Sequence, residues 1–598
     1  MDDVRLDIPA APAADVLRLE DELGVPHAVA QVLVRRGLGE PSRAREWLAA
    51  DVRHDEDEFG GMREAVELIG RHLCAGAPIV VHGDYDVDGV CATAIAVRAL
   101  RSLDADVGWF LPSRAEDGYG LSRATVERLA ARGTALLVTV DCGITAVDEV
   151  AAARAAGIDV VVTDHHAPRA DGLLPDAPIV HPRVGGYPCA DLCATAVAWM
   201  LARALLRAAG RDPAEADVDL DLVALATVAD CVPLAGENRR LVREGLRALA
   251  ATRRPGLRAL MAVARADPSS VDARTCGFRL APRINAAGRL HRADAGLELL
   301  LTQDAERAAA IARELDDANA QRRHVETRML FEAEAQVAEQ GAGGMPAALV
   351  LAGQGWHPGV VGIVASRIAE RHNRPAVLIA LPGDGDATGL GSGSGRSIAA
   401  FDLLAGLDAA AAHLVRHGGH RAAAGLTIEP DAVEAFRAAF VAHAQAALTA
   451  EDLVRRERVD AVVAGDELGA ELAEELEALA PFGEGNPEPS LLVPAARLVD
   501  PRPMGEGKHV RFTVESGGVR ARAVAFGTGR LPDGAGEGTF DATFGLELNE
   551  WNGAVEPRLV LRRLVACAPE PIELVGEPED PVQAALAELG AAPLDPPR

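Results

Sequence analysis

Lysine is almost absent from this chain: Lys508 is the only one in 598 residues, so the positive charge is arginine. Guanidinium groups suit bidentate phosphate contacts, although a coding bias would give the same excess. Net positive charge is lacking too. Asp and Glu number 89 against 60 Lys and Arg, a formal charge of −29, which argues against a generic polyanion binder. Part of that acid sits in Asp55-Glu56-Asp57-Glu58 and after Glu570, and bound metal would neutralise some of the rest. No apolar run approaches the ~18 residues of a membrane helix. No charged, apolar, small-residue leader opens the sequence, so neither a span nor a signal peptide is expected. The eight cysteines contain no Cys-x-x-Cys pair, which suggests neither a structural zinc site nor a disulfide framework. A reducing, cytoplasmic location is expected.

What is present divides the chain by pattern, and its length predicts three or four domains. Residues 1–60 are polar and acidic, with one amphipathic stretch near Val25–Leu33, and read as an N-terminal appendage. Over 61–293, short apolar runs alternate with Ala/Leu/Arg helices. Candidate strands are Ile79–Val81, Val107–Phe110, Ala135–Val140, Val160–Thr163 and Ile179–Val180. That alternation predicts an α/β domain with a parallel, doubly wound sheet. Over 294–342, apolar residues recur at helical spacing from Leu297 to Leu330, predicting one long connecting helix or two with a kink. A second α/β unit spans 343–448, with strands at Ala347–Leu351 and Ala376–Ala380. Over 449–567 a charged helical lead-in precedes alternating segments at Val510–Val514, Ala521–Phe526 and Ala542–Leu548, the pattern of a small β-barrel. Residues 568–598, rich in Pro, Glu and Ala, read as a flexible tail.

Four places repeat one device: an apolar run ends and an acid or histidine follows. They are His82-Gly83-Asp84-Tyr85-Asp86-Val87-Asp88, Asp141 after Ala135–Val140, Asp164-His165-His166 after Val160–Thr163, and Asp230 after Leu222–Ala229. The carboxyl ends of parallel strands share one edge, where ligands bind, so these side chains are expected to converge. Singly each is weak: an acidic turn is often only solvated, and Asp164 alone reads as a helix cap. Together they offer enough carboxylates and imidazoles for two divalent ions, with Asp141 able to bridge. Mixed oxygen and imidazole donors suit Mn²⁺ better than Ca²⁺ or an all-oxygen Mg²⁺ site. Two ions roughly 3.5–4 Å apart clamp a phosphoryl group, so phosphodiester or phosphoanhydride hydrolysis is expected.

Asp164-His165-His166 with the His82–Asp88 motif resembles the DHH phosphoesterase superfamily. Further motifs begin at Pro282-Arg283-Ile284-Asn285, Gly355-Trp356-His357-Pro358, Ser394-Gly395-Arg396-Ser397, Gly418-Gly419-His420-Arg421 and Asn549-Glu550-Trp551. With them the chain, over roughly 60–567, is similar to the RecJ family of single-strand-specific 5′→3′ DNA exonucleases. The resemblance implies a DHH domain, a DHHA1 substrate-binding domain and an OB fold. It implies two Mn²⁺ or Mg²⁺ ions, single-stranded DNA as substrate, 5′-mononucleotide products and a role in recombination and repair. By the same resemblance His82, Asp86 and Asp141 hold one ion, and Asp88, Asp141, His165 and Asp230 the other. His166 then faces the scissile phosphate or the leaving group, with Asp84 and Asp141 as further catalytic groups. Ser394, Arg396 and Ser397 become phosphate ligands. The partners implied are a single-strand-binding protein and a helicase, for a monomer that does not engage membranes.

Several of these residues have a plainer reading. Arg283, Asn285 and Arg289 suit phosphate and base-edge contacts, or interdomain ion pairs. Trp356 and His357 either stack on a base or pack. Gly418 and Gly419 let a strand approach the backbone beside His420, or only turn the chain. The barrel's aromatics are few, and some must fill its core. It is expected to close the cleft between the α/β domains into a passage too narrow for a duplex. Two rival readings stay open: a DHH hydrolase of pyrophosphate, short oligonucleotides or cyclic dinucleotides, which the added β domain disfavours, and a non-catalytic nucleic-acid scaffold, which the intact acid–histidine set disfavours.

Overall fold

The computed structural model describes residues 4–112, 120–290, 294–383, 389–531, 535, 538–551 and 554–567. The chain divides into two compact units that interleave in sequence. One is drawn from Met1–Val52, Leu234–Gly236 and Arg455–Arg598, the other from Arg53–Pro233 and Glu237–Val454. The chain opens with β1 (Val4–Asp7) and the helices Ala13–Leu23, His27–Arg35 and Pro41–Ala49, all in the first unit.

The second unit begins with the sheet that the apolar runs predict. It comprises β2 (Ile79–His82), β3 (Val107–Phe110), β4 (Leu136–Val140), β5 (Asp159–Thr163) and β6 (Ile179–Val180), in the order β3-β2-β4-β5-β6. Every pairing is parallel. All five residues of β4 are buried, because helices cover both faces of a parallel sheet and leave no solvent side for polar alternation. The fourth apolar run behaves differently. Leu222–Ala229 lies in the helix Leu220–Ala229, and Asp230 caps its C-terminus rather than ending a strand. A continuously apolar run has no period to separate buried helix from buried strand.

The connector is two helices, Asp294–Leu301 and Ala305–Gly341. Asp304 starts the second, accepting from the amides of Glu306 and Arg307 at 2.8 and 3.2 Å. A second sheet follows, made of β7 (Leu349–Gln354), β8 (Ala376–Leu381), β9 (Gly391–Arg396), β10 (Arg416–Gly419) and β11 (Ala423–Ile428), in the order β10-β11-β9-β8-β7. In β9 the sequence Gly-Ser-Gly-Ser-Gly-Arg alternates by face. Gly391, Gly393 and Gly395 are buried, and a Cβ on them would meet Ile379, Leu426 and Leu403 at 3.1, 2.7 and 3.0 Å. Ser394 and Arg396 point to the other face.

The first unit resumes with β12 (Arg455–Arg458), β13 (Ala461–Val462), β14 (Leu491–Met504), β15 (His509–Ser516), β16 (Val519–Ala525), β17 (Phe540–Trp551) and β18 (Ala554–Ala566). The order β14-β15-β16-β18-β17 closes through a β14–β17 pairing into a five-stranded barrel, the OB architecture. The N-terminal segment is no appendage to it. β1 pairs in parallel with β12, and Leu19, Val32 and Leu33 share one apolar cluster with Val493, Leu498 and Phe544. Arg36 forks onto both oxygens of Asp460 at 3.2 and 3.1 Å.

Candidate metal centre

The first motif occupies the turn between β2 and the helix Val87–Ser102. Asp86 caps that helix, its Oδ1 accepting from the amides of Asp88 and Gly89 at 3.0 and 3.1 Å. Gly89 is required there, since a Cβ would lie 2.6 Å from the Asp84 backbone nitrogen. Asp88 turns inward, its two oxygens accepting from the amides of Ala194 and Thr195 at 2.8 Å each. Those amides open the helix Ala194–Ala208, where the helix dipole favours a carboxylate. Asn285 accepts from the Val87 amide at 3.0 Å, so it supports this turn.

β4 ends in Asp141, whose φ of 61° lies in the left-handed region that non-glycine residues seldom occupy. β5 ends before Asp164. Its Oδ1 accepts from the amides of His165 and His166 at 2.7 and 3.0 Å and meets His166 Nδ1 at 2.8 Å, while Oδ2 accepts from Ile144 at 2.9 Å. Asp164 thereby aims both histidines. Nε2 of His165 comes within 3.3 Å of Asp141, 3.7 Å of Asp88 and 3.7 Å of Asp230. Among the described residues, three groups have donor atoms close enough to share an ion: Asp141, His165 and His166; Asp88, His165 and Asp230; and Asp84, Asp86 and Asp141. His82 stands outside these groups, at the end of β2 in register with Thr139.

The electrostatics favour cations. Burial, then the charges of Asp88, Asp86, Asp84 and Asp164, hold Asp141 well above its ordinary value. Burial with Asp88 raises Asp86, and burial with Asp88 and Asp86 pushes Asp230 up to about 8. Burial would raise Asp164 as well, but the His166 bond and the amides outweigh it and hold it low. Burial holds His165 below its usual range. His166, which burial alone would lower, is raised to about 9 by its bond to Asp164. Oδ1 of Asp141 and Nε2 of His165 are buried with no hydrogen-bond partner among the described residues. Mutually repelling carboxylates beside an imidazole, with atoms left unbonded, fit divalent cations.

The remaining candidates divide. Arg283 pairs with Asp316 at 2.8 Å, the ion-pair alternative within one unit. Trp356 is buried and donates from Nε1 to Glu332 at 2.6 Å; it packs and does not offer a stacking face. His357 Nδ1 accepts from the Gly359 amide at 3.0 Å. Arg396 donates to Ser394 Oγ at 3.0 Å, and both lie about the first turn of the helix Val361–His372, where a Cβ on Gly362 would stand 3.0 and 3.1 Å from them. Ser397 donates to the Phe401 carbonyl at 2.8 Å. Gly418, Gly419 and His420 are exposed on and just after β10, the edge strand. The Arg289 side chain lies outside the described residues, as does the segment 568–598. One supporting residue gives no sequence signal. His181, fully buried after β6, meets the His166 carbonyl through Nε2 at 2.8 Å, and its Nδ1 accepts from Arg183 and Val184 at 3.1 and 3.2 Å.

Three family models match in order: the DHH family N-terminal domain over 78–227, the DHHA1 domain over 345–446 and the RecJ OB domain over 459–563. The single-stranded-DNA-specific exonuclease RecJ of Bacillus subtilis is 38% identical over 555 residues, covering 92% of this chain and 69% of that protein. This chain belongs to the RecJ family. The RecJ structure from Thermus thermophilus in complex with Mn²⁺ superposes with a TM-score of 0.81 at 34% identity, covering 96% of this chain and 80% of that one. The RecJ structure from the same organism with Mg²⁺ gives 0.76 at 33%, covering 95% and 79%. The order DHH, DHHA1 and OB is thus the RecJ order, and among the described residues no helix is long and apolar enough to cross a membrane.

Proposed function

We propose that this chain is a metal-dependent exonuclease that degrades single-stranded DNA from its 5′ end to 5′-mononucleotides, in recombination and repair. One observation carries the reading: Asp141 and His165, from two strand ends, meet at 3.3 Å among Asp84, Asp86, Asp88 and Asp230. His82, Asp86 and Asp141 would hold one Mn²⁺ or Mg²⁺ ion, and Asp88, Asp141, His165 and Asp230 the other. When bound, the ions would neutralise charge on the phosphate and lower the pKa of a water.

The protein's own groups supply the rest. Asp164 holds Nδ1 of His166 and keeps the ring protonated, so Nε2 carries the proton that can pass to the leaving 3′ oxygen. Asp84, buried at the turn, helps orient the attack. Ser394 and Arg396 at a helix N-terminus suit a terminal phosphate, and the exposed backbone of Gly418 and Gly419 suits close passage of a strand. All eight cysteines are free thiols, which supports action in the cytoplasm. A single-strand-binding protein and a helicase are the expected partners, since the substrate must first be unwound and kept open.

Wild type and Asp141→Ala are compared on 5′-labelled and 3′-labelled single strands and on blunt duplex, with Mn²⁺. The reading expects mononucleotides from the 5′ end of single strands only, and none from the variant. Rapid digestion of the duplex, or an active variant, overturns it.

A further inference from the structure

Cys142 has no part in that mechanism, yet its setting is specific. It follows Asp141 and is fully buried. Its neighbours Asp141 and Gly143 have φ of 61° and 112°, and a Cβ on Gly143 would lie 2.6 Å from Thr139 Oγ1. This left-handed turn directs the thiol across to the neighbouring strand. Sγ stands 3.4 Å from His82 Nδ1 and 3.8 Å from the His82 carbonyl oxygen.

Two arrangements of protons satisfy those distances. In one, S–H donates to Nδ1, and the ring carries its proton on Nε2. In the other, Nδ1–H donates to sulfur while S–H donates to the His82 carbonyl. Only the second uses both contacts at once, and only the second leaves the Nε2 lone pair for a cation. Histidine ligands commonly donate the other ring N–H to a carboxylate, a backbone carbonyl or water; in the second arrangement sulfur takes that place.

We propose that Cys142 is a positioning residue: its thiol holds His82 as the Nδ1–H tautomer and so sets one metal-binding nitrogen of the centre. The inference rests on the metal reading above. It assigns the thiol an electronic task besides its packing in the interior.

The test is Mn²⁺ titration of full-length, chelator-stripped protein by calorimetry and electron paramagnetic resonance, for wild type, Cys142→Ala and Cys142→Ser. Thermal unfolding without metal serves as the fold control. Loss of the thiol in C142A should weaken Mn²⁺ at one of two sites by about tenfold, the lower end for groups that hold a ligand in place. The hydroxyl in C142S accepts from Nδ1–H and donates to the carbonyl, so it should bind more tightly than C142A. A thiol that only packs gives the serine hydroxyl no such advantage, since the cost of burying it falls on the fold with or without metal. Equal affinity in C142A and wild type, or C142S no tighter than C142A, overturns the proposal. Nitrogen-15 shifts of His82 in the metal-free wild type, assigned with His82→Gln, give a check free of any Cys142 variant. A protonated Nδ1 supports the proposal and a protonated Nε2 ends it. If wild type binds no Mn²⁺, the metal reading itself fails; if wild type binds two ions and C142A binds them equally well, only this inference does.

Discussion

Oδ1 of Asp164 lies 2.8 Å from Nδ1 of His166 and accepts the His166 amide at 3.0 Å. One oxygen thus holds both the ring and the backbone of the same residue. The pH behaviour follows from this pair. His166 is raised from 6.5 to about 9, the Asp164 bond overcoming burial. A value raised by folding contributes stability that is complete below the unfolded value and is lost as pH climbs through about 9. Chelator-treated wild type should therefore lose melting temperature over pH 6.5–9 more steeply than Asp164→Asn. Parallel curves for the two proteins would remove the pair from the account.

Asp141 predicts a loss of the same sign that begins at lower pH. Its carboxyl is raised by burial and by four neighbouring aspartates, so the ionised fold loses stability as pH rises past the ordinary 3.8. Asp141→Asn removes that charge. At pH 7 without metal, the variant should melt above wild type. Mn²⁺ should raise the melting temperature of wild type by mass action and shift the variant little. Nuclease activity should fall more than about 100-fold, beyond the usual range for groups that only support a ligand.

Trp356 was open between stacking and packing, and its burial decides for packing. Trp356→Ala should cost about 3–5 kcal/mol of stability, read by denaturant unfolding. In the folded wild type, tryptophan fluorescence from this residue should not be quenched by added oligonucleotide. Quenching that vanishes in Trp356→Phe would restore the stacking role.

The Arg36–Asp460 pair is nearly closed to solvent, at 10% and 4% exposure. Arg36→Ala leaves a buried carboxylate without its fork, at a cost of about 3–5 kcal/mol. Limited proteolysis should then cut the barrel unit before the catalytic unit. Deletion of residues 1–52 should leave the barrel insoluble, because it strips the partners of Val493 and Phe544 from their cluster.

Most of the catalytic sheet was legible because a parallel strand buried on both faces writes itself as an apolar run, and the acids at Asp141 and Asp164 mark where such runs stop. Asp230 was found for an inexact reason: it lies beside the others, but a buried helix delivers it. Asn285 and Arg283 show the limit of motif chemistry. A side chain suited to DNA is equally suited to a backbone amide or to Asp316, and only packing decides. His181 and Cys142 left no pattern, since each acts through one or two contacts with residues distant in sequence. The N-terminal segment was missed for a related reason: its apolar face fits a barrel whose strands lie at the far end of the sequence.

That last point bears on synthesis. The strand Val4–Asp7 must find Arg455–Arg458. About 450 residues intervene, so at 5–20 residues per second the first segment waits roughly 20–90 s for its mate. The whole of the second unit, which ends at Val454, is synthesised before that pairing can form. Completion of the first unit is therefore the later event in synthesis, although its residues lead the chain.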